Sequence, residues 1–505
     1  MNNTSTLSEI QNFKGKYPKQ LWYLFFSEMW ERFCFYGMRG MLVIFMVDKL
    51  VGLNMPKDVA NLQYGATQAF VYAFTFIGGL FADKILGFRK SLFWGGILMI
   101  IGSCILALNP HEYFFFGISF TIIGTGFFKP NISTMVGQLY KDGDHRTDAG
   151  FSLFYAGINL GALLGGYLCI SIAQGDVLGQ VIPENLRWNV AFGMAAIVMT
   201  ISLITFIFTQ RSLGTIGLSP IANENTSKKW YEYAVYGGSL LVIPIIMKMV
   251  SVTEYTDYFM FTIGPCTLIY LFYEMRNFTK VERQKLLAAL VFIIFSIFFW
   301  AFFEQSGGSL SLFADNNLSN NVLGMKLNPA GVNNSANSFF VIIFAALLGI
   351  IWLWLHKRKM EPNSIVKFGL GFLFLAAGFF TFYYTKHLAN ENGITSLNIF
   401  TLGWFIITFG ELSLSPIGMS VMTKLSPQKT QAVMMGMWFL ASAYGQYFAG
   451  ILGANIASAS KDSSNLASLI IYCDGYKQLA IYAVILGIVM IAISPLVKKW
   501  MHGVK

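Results

Sequence analysis

Apolar stretches long enough to cross a lipid bilayer recur along almost the whole chain. Six lie in the first half, at 21–46, 64–82, 91–108, 113–139, 151–173 and 190–208. Two shorter ones follow at 234–247 and 259–273, and six more lie at 286–303, 332–354, 368–384, 399–418, 432–457 and 479–497. A helix needs about 20 apolar residues to span the hydrocarbon core. We therefore predict an all-α membrane protein with fourteen spanning helices.

The composition excludes several other classes of protein. With 55% hydrophobic and 12% charged residues, the chain of 505 residues is too apolar for a soluble protein of this length. Its five cysteines form no CxxC pair and no cluster with histidine, so we expect neither disulfides nor a metal site. The chain has no GxxxxGK[ST] loop for ATP and no GxSxG elbow. We expect no cofactor and no enzymatic activity.

Basic residues fall mainly on one side of the predicted membrane. If both termini are cytoplasmic, 24 of the 35 Lys and Arg residues lie in cytoplasmic segments, eight in outer segments and three within spans. The positive-inside rule therefore favours cytoplasmic termini. The net charge of +10 follows from this placement and does not indicate a nucleic-acid partner.

The order of the spans predicts two bundles and a linker. We expect a tail at 1–20, a six-helix bundle at 21–209, a linker with two extra spanning helices at 210–285, a second six-helix bundle at 286–497 and a tail at 498–505. This is the layout of the major facilitator fold, whose halves rock about a site near the midplane. From the pattern alone, the extra pair fits a linker or part of a different fold equally well.

Six ionisable residues fall within the spans, where each costs about 2.5 to 3.5 kcal/mol on insertion scales, and a seventh, Glu304, lies at the end of one. Four lie in the first span, namely Glu28, Glu31, Arg32 and Arg39. At about 100° per residue they share one helix face, and their charges sum to zero. Glu28 and Arg32 stand at i, i+4 and can pair. This face is expected to line a watery interior, unless the charges serve only to hold helices together.

The other three charges, Lys129, Glu304 and Glu411, are each alone on their span. We predict pairs of Arg39 with Glu304 and of Lys129 with Glu411, because each joins one half of the chain to the other. A carboxylate in a partly dry cavity beside a movable base can take up a proton. The charges thus indicate a proton-driven transporter, and they suit alternating access better than an open channel.

Seven short motifs resemble those of one known family. In chain order they are Glu28-x-x-Glu31-Arg32-Phe33 with Tyr36-Gly37, Gly78-Gly79-Leu80-Phe81-Ala82-Asp83 with Gly87 and Arg89-Lys90, Phe128-Lys129-Pro130-Asn131, Phe154-Tyr155-x-x-Ile158-Asn159-x-Gly161, Phe299-Trp300-Ala301 with Glu304-Gln305, Glu411-Leu412-x-x-Ser415-Pro416-x-Gly418, and Gly436-Met437-Trp438. They resemble the proton-dependent oligopeptide transporters, or peptide transporter family, of the major facilitator superfamily. The resemblance covers nearly the whole chain.

The resemblance implies import of di- and tripeptides driven by protons, in a bacterial inner (plasma) membrane. It implies contacts with the peptide's C-terminal side by Arg39, Lys129 and Asn159, and with its amino terminus by Glu411. It implies a pocket lined by Tyr36, Tyr72, Asn337, Trp438 and Ser442. It implies a proton-coupling network of Glu28, Glu31, Arg32 and Glu304. We expect a monomer, although the sequence itself does not give the oligomeric state.

Some of these residues have simpler interpretations. Asp83 and Arg89 are expected to gate or cap a helix at the cytoplasmic side, and Pro416 to bend its helix beside Glu411. Asn159 could form an ordinary interhelical hydrogen bond, and Tyr72 and Trp438 could be packing aromatics. Phe35 stands where the family usually has tyrosine, and Asn334 where it usually has glutamine. Transport of another small zwitterion or anion therefore stays open.

Overall fold

The computed structural model describes residues 6–141, 143–221, 229–427, 431–460 and 463–504, and these divide into two compact units. Unit 1 comprises Met1–Asn54 and Phe70–Ser251, and unit 2 comprises Met55–Ala69 and Val252–Lys505. The boundary between Ser251 and Val252 falls between the two extra helices. A second boundary divides a single helix between Ala69 and Phe70.

The helices of unit 1 are α1 Leu7–Gln11, α2 Lys19–Val47, the second part of α3 Lys57–Phe81, α4 Phe88–Leu108, α5 Pro110–Gln138, α6 Thr147–Ala173, α7 Arg187–Thr209 and α8 Lys229–Ser251. A π-helical turn follows α3 at Ala82–Leu86, and 3-10 turns lie at Glu184–Leu186 and Gln210–Leu213.

Unit 2 contains the first part of α3, then α9 Thr253–Glu274, α10 Lys280–Phe303, α11 Ser309–Asn317, α12 Pro329–Lys357, α13 Ser364–Tyr384, α14 Leu397–Leu425, α15 Gln431–Ala459, α16 Asn465–Ala492 and α17 Ser494–Trp500. 3-10 turns lie at Met275–Asn277, Glu304–Gly307 and Thr385–Leu388. A two-stranded antiparallel hairpin pairs β1 Asn321–Val322 with β2 Met325–Lys326. The prediction of an all-α membrane protein is confirmed, with this hairpin and the short α11 as unpredicted additions.

Ten helices in the described part of the chain are long and apolar enough to cross a membrane. They begin with α3 and include α8, the first of the extra pair. The helix α2 is not among them, because every 18-residue stretch of it contains at least three charged residues. Its length of 29 residues still exceeds what a bilayer requires.

The helices begin where the sequence supplies capping groups. The Asn109 side chain accepts a hydrogen bond from the backbone N–H of Glu112, and Pro110 occupies the first turn of α5. Thr279 and Glu282 form a reciprocal capping box at the start of α10. Both arrangements satisfy backbone donors that a helix leaves free at its first turn.

Glycine allows the helices of unit 1 to pack backbone to backbone. A Cβ added at Gly165 of α6 would lie 2.2 Å from the carbonyl oxygen of Phe33 in α2, and one at Gly161 would lie 2.1 Å from that of Met29. Small residues at such crossings let helices approach closely. The charged helix α2 is therefore held against α6 along two turns.

The two extra helices attach to different units. In unit 1, α8 packs on α5 and is joined to α4 by a hydrogen bond of 3.0 Å from the Trp94 indole to the Ser239 hydroxyl. In unit 2, α9 packs on α15 and is joined to it by a hydrogen bond of 2.6 Å from the Tyr447 hydroxyl to Asp257. Val252 alone lies between α8 and α9.

The close packing at Gly165 yields a prediction with an internal control. We expect Gly165→Ala to lower the unfolding midpoint of the purified protein by several degrees, because the added methyl meets backbone that cannot move aside. Overpacking of this kind costs about 1–3 kcal/mol. Gly238→Ala in α8 adds the same methyl where no atom lies within 4 Å, and should leave the midpoint unchanged or raise it. Equal melting of the two variants would contradict the packing at this crossing.

Candidate functional site

The buried charges of α2 form a triad with one guanidinium between two carboxylates. The Nε of Arg32 lies 3.1 Å from Oε1 of Glu28, and it also donates to Oε2 of Glu31. The three side chains are at most 3% exposed. The predicted i, i+4 pair of Glu28 and Arg32 is thus present. Glu31 adds a second carboxylate, so the triad carries one excess negative charge when both acids are ionised.

Each member of the triad keeps one polar atom without a hydrogen-bond partner in the described part of the chain. These atoms are Oε2 of Glu28, Oε1 of Glu31 and one Nη of Arg32. Lys129 acts electrostatically on both carboxylates. Buried polar atoms are almost always paired, and unpaired ones carry a desolvation penalty. The two free carboxylate oxygens are therefore where a proton can be added without breaking an existing contact.

Aromatic faces line the charged side of α2. The guanidinium of Arg32 lies 5.4 Å from the centre of the Phe35 ring, and that of Arg39 lies 5.6 Å from the centre of the Tyr36 ring. Phe35 is 2% exposed. A ring face attracts a cation whether or not the ring carries a hydroxyl. Phe35 therefore provides a cation–π contact to Arg32 without a hydroxyl.

Lys129 stands over an aromatic ring in the same unit. Its ammonium lies 4.3 Å from the centre of the Tyr72 ring. Pro130 follows it within α5, and Asn131 donates to the Ser91 hydroxyl at 2.8 Å and to the Phe127 carbonyl at 2.6 Å. The lysine thus projects from a helix segment that is fixed to α4.

Asn159 lies on α6 with its side chain 6% exposed, and its amide donates to the carbonyl of Tyr155 at 2.9 Å. This bond stays within one helix. The side-chain oxygen is left to accept from another group.

In unit 2, Glu411 of α14 is held by an amide from α12. The Nδ2 of Asn337 donates to Oε2 of Glu411 at 2.7 Å. The Thr408 hydroxyl, one turn before Glu411, lies 2.8 Å from Oδ1 of the same asparagine. The sequence motif contains Glu411 but not Thr408. The i, i+3 spacing of Thr408 and Glu411 on one helix is a signal that could have identified it.

The remaining predicted residues of unit 2 lie on neighbouring elements. Glu304 is 4% exposed and ends α10, where the 3-10 turn begins. The Trp438 ring of α15 rests on Gly418, where an added Cβ would come within 2.0 Å of it. The Ser442 hydroxyl donates to the Trp438 carbonyl at 3.4 Å. Trp438 therefore has a packing role at its ring edge whatever else it contacts.

The two predicted gating residues of unit 1, Arg89 and Asp83, differ in their surroundings. Arg89 donates to the carbonyls of Ile216 and Gly214, both at 2.6 Å, whereas Asp83 is exposed in the π-helical turn. Gly87 has φ +75°, and it packs directly on Leu218, which lies close in the chain to the carbonyls of Gly214 and Ile216. Arg89 thus ties the start of α4 to residues 214–218. The side chain of Pro416 lies outside the part that the structure describes.

Within unit 1 the structure joins Glu28 and Glu31 to Arg32 and places Lys129 against Tyr72, and within unit 2 it joins Glu411 to Asn337. The Arg39–Glu304 and Lys129–Glu411 pairs each join residues of different units and stay predictions. Among the described residues, no group of three His, Cys, Asp or Glu side chains could hold a metal ion.

Known proteins can be compared with this chain through the motifs that contain the buried triad, Lys129 and Glu411. A sequence model of the POT family matches residues 89–469. The chain belongs to the POT family. The peptide transporter YePEPT of Yersinia enterocolitica subsp. palearctica is 32% identical over 467 residues, which cover 88% of this chain and 89% of that protein.

Two further relatives extend the similarity of this POT family member to nearly its full length. Dipeptide and tripeptide permease B of Aeromonas hydrophila is 28% identical over 491 residues, or 96% of this chain and 94% of that protein. A crystal structure of a POT family transporter in complex with 5-aminolevulinic acid matches with a TM-score of 0.81 and 28% identity, over 98% of this chain and 100% of that one. The predicted family and its major facilitator type of fold are confirmed. This is a family of transporters, and the chain is a multi-span membrane protein.

The Arg89 contacts in this POT family member can be tested directly. We expect Arg89→Lys to raise backbone hydrogen exchange in residues 214–219 by about tenfold, because lysine cannot donate from a rigid fork to two carbonyls. Mass spectrometry of peptic fragments measures the exchange. Lys84→Arg, at an exposed position nearby, should leave it unchanged. Unchanged exchange in Arg89→Lys would mean that the segment is held by other contacts.

Proposed function

We propose that this protein is a proton-coupled symporter that imports di- and tripeptides by alternating access. The observation that carries the proposal is the buried triad, in which one guanidinium serves two carboxylates and each carboxylate keeps an unpaired oxygen. The names of relatives such as the dipeptide and tripeptide permease support peptides as the substrate.

A peptide is a zwitterion with its charges at fixed ends, and each unit offers a group suited to one end. In unit 1, the cations Arg39 and Lys129, with Asn159, suit a carboxylate. In unit 2, Glu411, held by Asn337, suits an ammonium. Tyr36, Tyr72, Trp438 and Ser442 would line the same pocket.

Coupling follows from the charge count around the triad. Lys129 offsets the excess negative charge of the triad while no substrate is present. When a peptide carboxylate engages Lys129, that offset is reduced, and a proton on Glu28 or Glu31 restores neutrality. Proton and peptide would then bind together, and Glu304 would belong to the same network. The peptide carboxylate and the triad would affect each other because charges interact strongly in a partly dry interior.

The orientation belongs to the same proposal. Both termini lie in the cytoplasm of a bacterium, because most basic residues then fall on the cytoplasmic side of the plasma membrane. The inward proton gradient across that membrane supplies the driving force, so no cofactor is required. We propose that one chain suffices for transport.

Labelled dialanine uptake into proteoliposomes tests the proposal. With the outside acidic, we expect uptake above the equilibrium level, and a protonophore should abolish that excess. Uptake that is indifferent to the protonophore would rule out proton coupling.

The role of Glu31 can be separated from binding. We expect Glu31→Gln to abolish gradient-driven uptake, because the amide cannot exchange a proton, while dialanine counterflow across the same vesicles stays measurable. Glu112→Gln, at an exposed position, should retain driven uptake. Normal driven uptake in Glu31→Gln would remove this residue from the coupling site.

A second candidate function is proton-coupled transport of another small zwitterion or anion. Phe35 favours it, because the family usually has a hydroxyl there, and a POT family relative is known in complex with 5-aminolevulinic acid. Competition separates the two candidates. If excess dipeptides fail to compete with a transported zwitterion such as 5-aminolevulinic acid, this second function leads.

A further inference from the structure

Two side-chain hydrogen bonds, one helical turn apart, join α12 to α14. The Trp404 indole donates to Oδ1 of Asn333 at 3.3 Å, and the Thr408 hydroxyl donates to Oδ1 of Asn337 at 2.8 Å. Trp404, Thr408 and Asn333 are each 1% exposed. Asn333 continues to the Ser306 carbonyl at 2.7 Å. The hydrogen bond between Thr408 and Asn337 therefore lies next to buried side chains that are themselves hydrogen-bonded.

The orientation of the Asn337 amide follows from what its neighbours can donate and accept. An ionised Glu411 only accepts hydrogen bonds, so it requires the N–H side of Asn337, as the contact of 2.7 Å from Nδ2 to Oε2 provides. The amide oxygen must then face the other way. There it meets Thr408, whose hydroxyl can donate to it.

The alternative orientation is disfavoured by Glu411. If the amide of Asn337 turned over, its oxygen would face the Glu411 carboxylate, and two acceptors would oppose each other. Thr408 also lies 2.8 Å from the Trp404 carbonyl, and a hydroxyl can accept as well as donate, so Glu411 is the group that selects the orientation and Thr408 supplies a donor to the amide oxygen in it. Removal of the hydroxyl would leave a half-buried amide oxygen without this donor.

We propose that Thr408 is a positioning residue that sets the specificity of the site for a free amino terminus. By fixing Asn337, it holds Oε2 of Glu411 in place, and with it the carboxylate that binds the substrate ammonium. The proposal rests on the proposed function, in which Glu411 binds that ammonium. Thr408 itself does not touch the substrate.

The test compares two ligands that differ only in the ammonium group. Dialanine carries it, whereas N-propionyl-alanine has the same skeleton without it. Dissociation constants for both are measured by calorimetry on the purified full chain. The variants are Thr408→Val, which keeps the shape of the side chain, Thr408→Ser, which keeps the hydroxyl, and Thr401→Val as the matched control. Thr401 lies on the same helix, and its hydroxyl donates to the Leu397 carbonyl of its own helix.

We expect Thr408→Val to weaken dialanine binding about tenfold while the affinity for N-propionyl-alanine changes less than twofold. Thr408→Ser should restore dialanine binding, and Thr401→Val should resemble the wild type. An equal loss for both ligands, or no loss for either, would overturn the proposal. If Thr408→Val does not fold, Thr408→Ala is measured under the same criteria.

Failure of this inference is distinct from failure of the proposed function. If the wild-type protein does not bind dialanine at all, the proposed function is wrong and the positioning role falls with it. If the wild type binds dialanine and Thr408→Val binds it equally well, only the positioning role is wrong.

Discussion

The ion triad of α2 is the interaction on which the rest of the structure depends. Two carboxylates and one guanidinium are withdrawn from water at a cost of several kcal/mol per ion, and removal of one partner would leave an uncompensated buried charge. The helix that carries them packs closely against glycines of α6. A Cβ added at Gly161 would lie 2.9 Å from the Cβ of Arg32. Packing and electrostatics are therefore fixed by the same few residues.

The other charged groups extend this arrangement in two ways. Lys129 lies in unit 1 with the triad, on a helix segment fixed by Asn131, and its ammonium lies over the ring of Tyr72. Glu411 lies in unit 2 on a separate scaffold of buried side-chain hydrogen bonds. A base that compensates the triad in unit 1 and an acid in unit 2 are the components that the proposed proton-coupled carrier of zwitterions would use.

The sequence allowed much of this to be predicted, because apolar length and buried charge are local properties. The helices and the Glu28–Arg32 pair followed from periodicity and spacing. The hydrogen bond from Tyr447 to Asp257 did not, because Asp257 lies outside the predicted apolar window and its partner is 190 residues away. Thr408 was missed because a threonine within an apolar span usually bonds only to its own helix. The division of α3 between two units has no counterpart in its sequence.

Proton movement that is driven by peptide alone is the most direct test of the central claim. Proteoliposomes with a trapped pH-sensitive dye and no imposed gradient receive a pulse of external dialanine. Symport predicts that the lumen becomes acidic as peptide enters, and that Glu31→Gln shows no such change. Dialanine entry without acidification in the wild type would contradict the account.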